Sequence, residues 1–152
     1  MKNIHEIIGK YIELKDKSKY EQLKKEIGFE EPKLTDPSLM SYVVHLYCEI
    51  CKITYQNLMS KKWNRKSSFS RYYIVYILYK LYSPNTMNPK IREIPEPKLN
   101  TYISNAVGIK RNNNYVIRGN TYFYYQTYYE FSCKCDEIYS KIINRLISDE
   151  II

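Results

Sequence analysis

Between residues 69 and 82 the side chains of Tyr73, Ile74, Ile77, Leu78 and Leu81 recur at spacings of three and four. That spacing follows the 3.6-residue turn of a helix, so it gathers them on one stripe that other elements must cover. The same period returns over residues 3–28 (Ile4, Ile7, Ile8, Tyr11, Ile12, then Tyr20, Leu23, Ile27) and 38–52 (Leu39, Val43, Leu46, Tyr47, Ile50, Cys51). The expected fold class is therefore all-α, a helical bundle around the 69–82 helix. At 152 residues the chain is sized for one core.

Breakers and caps divide the rest. Gly28 is a helix stop, and Phe29–Pro37, with two prolines, reads as a connection. This sets a boundary between an N-terminal helical extension, 1–36, and a main domain, 37–152. Asp36 or Ser38 is placed to cap the next helix, and Thr54 to open a short turn through Leu58. Ser60–Lys66 reads as a basic loop. Ser83–Lys98 holds Pro84, Pro89, Pro95 and Pro97, too many for regular structure, and is expected as a surface insertion. A short helix, Leu99–Val107, ends at Gly108. A polar turn, Ile109–Asn113, leads into a helix from Asn114 through the tyrosine-rich stretch, and a last helix spans Cys133–Ile147.

The net charge of +8 is unevenly spread. Residues 52–118 carry 13 basic and 2 acidic side chains, an excess of +11, whereas 1–36, 37–51 and 119–152 carry 0, −1 and −2. A surface charged only for solubility has no reason to concentrate its cations, but a protein that displaces counterions from phosphates does. The 18 tyrosines, with many Lys, Asn and Ile, are what an AT-rich genome supplies, and carry little weight.

Several function classes are disfavoured. No run approaches the roughly 20 apolar residues of a membrane span, and Met1–Lys10 lacks the apolar core of a secretory signal, so a cytoplasmic protein is expected. Cys48, Cys51, Cys133 and Cys135 are expected as reduced thiols. A four-thiolate zinc site is set aside because Cys48 and Cys51 fall on a buried stripe and the Cys133–Cys135 spacing is unusual for zinc. His5 and His45 have no neighbouring nucleophile and carboxylate pattern, so no enzyme activity, metal or cofactor is expected.

A helix of about nine residues, a glycine-bearing polar turn and a second helix headed by hydrogen-bonding side chains is the helix-turn-helix arrangement. Here it runs Leu99–Gly108, Ile109–Asn113 and Asn114–Tyr125. Two ungapped stretches carry a family likeness. The first is Leu58-Met59-Ser60-Lys61-Lys62, further basic residues, and Ser70-Arg71 at the start of a hydrophobic helix. The second is Arg111-Asn112-Asn113-Asn114-Tyr115-Val116-Ile117-Arg118-Gly119, in which Arg111 and Val116 match the signature Arg-Asp-His-(Ser/Thr)-Thr-Val-Leu-His-Ala. Over roughly residues 38–147 the chain resembles the C-terminal DNA-binding domain of the bacterial chromosomal replication initiator DnaA, a Trp-repressor-like helix-turn-helix fold. Trp63 and Tyr72 stand where that family has arginine and glutamine, and the 83–98 connection is longer. No Gly-rich phosphate loop is present, so no ATPase is expected.

The resemblance implies a double-stranded DNA-binding protein acting in replication or transcription control. It would lay Lys61, Lys62, Arg65 and Lys66 along phosphates or into a minor groove and let Arg71 anchor to backbone or base. Asn112, Asn113, Asn114 and Tyr115 would head the recognition helix, preceded by Lys110 and Arg111. An asparagine amide can bond adenine N6 and N7, and Arg118 a phosphate or guanine. Trp63 is expected as a loop anchor and Tyr122, Tyr124, Tyr125, Tyr128 and Tyr129 as core or rim rather than a stacking surface. The alternative is a protein-interaction adaptor on the same scaffold, binding an initiator or a host factor.

Overall fold

A computed structural model describes the backbone of residues 3–15, 17–60 and 65–152 and the side chains of 3–10, 17–60 and 69–152. Among the described residues the fold is all-helical, with α1 (Ile4–Lys15), α2 (Lys17–Ile27), α3 (Met40–Cys51), α4 (Tyr55–Met59), α5 (Arg65–Tyr82), α6 (Pro97–Val107), α7 (Asn114–Thr127) and α8 (Tyr129–Ser148). Short 3-10 turns at Pro37–Leu39, Pro84–Thr86 and Arg111–Asn113 join them. No described helix is long and apolar enough to cross a membrane.

Helix α5 is central. Residues 74–79 are buried on every side, not on one stripe alone, because α3, α6, α7 and α8 all pack on it. Those helices ring α5 in the order α6, α3, α8, α7, and the Arg111–Asn113 turn closes the ring between α7 and α6. Each fully buried Ile or Leu of α5 stabilises the bundle by about 1.5–3 kcal/mol relative to leaving it in water. Tyrosine shares this core because its hydroxyls find acceptors. Tyr47 donates to the Ser70 carbonyl at 2.8 Å and Tyr82 to the Asp36 carbonyl at 2.7 Å.

The caps follow sequence chemistry. Thr54 Oγ1 accepts from Asn57 N–H at 3.1 Å to open α4, and Asp36 Oδ1 accepts from Ser38 N–H at 2.9 Å to open the turn before α3. Two helices begin earlier than expected, α5 at Arg65, whose first turn Arg65-Lys66-Ser67-Ser68 is polar and leaves no apolar period to read, and α8 at Tyr129, whose buried Phe131 extends the stripe of Cys135, Ile138 and Ile142 by one turn.

Two expectations need correction. The segment after α5 is not a surface insertion at its start, because residues 83–87 are buried. The reason is cover from both sides. Gln126 of α7 donates to the Met87 carbonyl at 3.1 Å, and residues 26–36 cross the other face. There Asn85 accepts from Glu30 N–H and donates to the Glu30 carbonyl, both at 3.0 Å, while Asn88 donates to the Ile27 and Gly28 carbonyls. The line drawn at residue 36 likewise does not mark a gap in packing. Leu34 belongs to the main core, and Lys33 and Leu34 N–H both bond the Leu81 carbonyl.

Candidate nucleic-acid interface

The turn between α6 and α7 is built by Gly108. Its φ of +69° is left-handed backbone that a side chain strains, and its N–H closes α6 on the Ser104 carbonyl. A Cβ at this position would also stand 3.2 Å from Met59 Sδ. The turn thus lies against the last residue of α4, where the chain enters the segment that carries Lys61, Lys62, Arg65 and Lys66. After Gly108 the backbone passes through Ile109, which is buried, and Lys110 into the 3-10 turn that runs directly into α7.

Along this turn Lys110, Arg111, Asn112 and Asn113 are all exposed, and Tyr115 is 74% exposed on the first turn of α7. Asn113 does not cap α7 with its side chain, so its amide and that of Asn112 are turned to solvent without that duty. Arg118 is half-buried and donates to Asn100 Oδ1 of α6 at 3.1 Å.

Two of the expected contacts are corrected by burial. Asn114 is 4% exposed, since the first residue of α7 points inward at α5 and α6. The Tyr79 hydroxyl lies 2.6 Å from Asn100 Oδ1 and 3.0 Å from Asn114 Oδ1, and Asn114 Nδ2 donates to the Asn100 carbonyl at 3.4 Å. Asn114 is a fastener between three helices, not a base reader. Arg71 is 0% exposed because it lies on the inward stripe of α5 with Ile74, Val75 and Leu78. Its Nη2 donates to the Ser60 carbonyl, and burial draws its pKa down. Arg71 therefore pins the chain just before the basic segment instead of touching DNA.

Of the basic segment, Lys61 and Lys62 lie outside the described residues, as does Trp63. Arg65 and Lys66 form the backbone of the first turn of α5, so they belong to that helix and not to a loop. No protein-family model, curated protein or solved structure matches the chain.

The outward face of α7 has a second character. Tyr115, Val116 and Phe123 are exposed there, nothing lies within 4 Å of where a Cβ on Gly119 would sit, and Arg118 is the helix's one charged residue. Toward its C-terminal end Tyr124 packs edge-on to Tyr72 at 5.1 Å and near Tyr128 and Phe131, which makes these rings part of the core rim. Among the described residues no group of three or more His, Cys, Asp or Glu could hold a metal. Cys135 is buried, and that burial pushes its thiol pKa up, away from reactivity.

Two residues outside the expected set take part here. Asn100 binds Tyr79, Asn114 and Arg118 together, and Arg92 lies with its guanidinium carbon 4.1 Å from the Tyr122 ring of α7. Neither sits in a motif. The available signal was the +11 excess over residues 52–118, to which Arg92 contributes.

Proposed function

We propose that the protein binds double-stranded DNA through the α6–α7 turn, without catalysis, in the manner of a replication- or transcription-control factor. The observation that supports this most is the exposed sequence Lys110, Arg111, Asn112, Asn113, Tyr115 on a helix start that abuts the end of α4, where the basic segment begins. Lys110 and Arg111 would neutralise phosphates and set the orientation. Asn112 and Asn113 have the amides to pair with adenine, and Tyr115 and Val116 the apolar surface to meet thymine methyls.

The test is a duplex-binding titration by fluorescence anisotropy from 50 to 200 mM salt. Binding should weaken steeply with salt, and Lys110→Ala with Arg111→Ala should each flatten the slope by about 1. Salt-insensitive binding, or none, would remove this reading. The second reading, a protein-interaction adaptor, draws on the exposed Tyr115, Val116 and Phe123 of α7. It is favoured if duplex DNA of any sequence fails to bind.

A further inference from the structure

The proline-rich segment folds back along α7 as an arm. Arg92 N–H bonds the Asn88 carbonyl at 2.7 Å and Glu93 N–H the Asn85 carbonyl at 3.1 Å. Between them Arg92 is held at φ +47°, a left-handed conformation that costs a non-glycine residue free energy and points to an imposed position. That position stacks its guanidinium on Tyr122, while the next residue but one, Ile94, is 85% exposed.

Arm and helix enclose a groove of about 580 Å³ whose walls include Arg92, Ile94, Tyr115, Arg118, Asn120 and Tyr122. A smaller groove of about 200 Å³ adjoins it, sharing Tyr115 and Arg118 and adding Arg111 and Asn100. Arg111, Arg118 and Arg92 therefore follow one another along one flank of α7. Arg118 and Tyr122 are one helical turn apart, so the guanidinium resting on Tyr122 continues the line begun by the other two. Among the described residues none of the three has a carboxylate within ion-pair distance. The one carboxylate lining the larger groove is Glu93, whose pKa burial pushes up, toward the neutral form. Two of the cations are pre-positioned, Arg118 by Asn100 and Arg92 by Tyr122, which lowers the ordering cost of meeting a polyanion.

We propose that this row of arginines is a track for one sugar–phosphate strand of the duplex, which makes the proline-rich arm part of the DNA interface. The inference rests on the DNA-binding reading and extends it to a surface that reads no bases. Arg111, Arg118 and Arg92 each contact a phosphate, and Ile94 provides an apolar wall for the sugars.

The test uses the full chain and two unrelated 20-base-pair duplexes, with log K measured against log salt. Arg92→Gln should reduce the slope by about 0.9 and weaken both duplexes equally. Ile94→Glu, at a position too exposed to disturb folding, should place a carboxylate in the groove and weaken both several-fold. Lys141→Gln removes the same charge from α8, outside both grooves, and should change neither quantity. If wild-type protein binds DNA but Arg92→Gln and Ile94→Glu behave like Lys141→Gln, the track is overturned and the DNA reading stands. If wild-type protein binds neither duplex, both fall.

Discussion

Three consecutive asparagines, Asn112, Asn113 and Asn114, have identical chemistry and opposite surroundings. The first two end a 3-10 turn in solvent, and the third is the first residue of α7, rotated onto Tyr79 and Asn100. Removing the Asn114 amide leaves buried polar partners unsatisfied, so Asn114→Ala should cost about 1–3 kcal/mol of stability in urea unfolding. Asn113→Ala should stay within about 0.5 kcal/mol and weaken duplex binding instead. The opposite pattern would mean the phase of the helix start is wrong. Sequence pattern identified the cluster as the head of a helix but carried no sign of where the turn tightens to 3-10, and that decides which amide faces inward. Arg71 shows the same limit. The family resemblance implies a DNA contact for it, whereas its register with Ile74 and Leu78 puts it inside.

At the scale of elements, helices with apolar periodicity were legible, because the stripe that must be buried is also what defines them. The glycine stops were legible too, since Gly28 and Gly108 both adopt positive φ. Gly108→Ala is expected to cost about 1–2 kcal/mol through the left-handed backbone alone, with the Met59 overlap added to it. A thermal melt unchanged from wild type would show that the turn is not held as described. What periodicity left unread was the path of the 83–96 segment. Its prolines exclude long regular elements, but nothing in their spacing says that the chain packs between residues 26–36 and α7. The single-residue anchors Asn85 and Asn88 make that decision, through long-range bonds to backbone carbonyls.

For the whole molecule, the concentration of charge in one stretch of sequence was visible from the outset, and the fold distributes that stretch over α5, the arm, α6 and the head of α7. The tyrosine-rich interior has a consequence for pH. Burial, the largest cause in each case, pushes the hydroxyls of Tyr82, Tyr125 and Tyr139 up to about 12. In the unfolded chain tyrosine ionises near 10, so between pH 10 and about 12 the unfolded state holds fewer protons than the native one. Stability contributed by these groups is complete below pH 10 and is lost as pH climbs through 12. The urea midpoint should therefore begin to fall above pH 10, and a midpoint flat from pH 9 to 11.5 would contradict the burial of these side chains. The clasp between Asn85 and Glu30 has a wider bearing. It makes residues 26–36 one wall of the mould in which the arm is cast, and a lengthened, shortened or exchanged N-terminal stretch would register first as a misplaced Arg92, with the ring of helices around α5 left standing.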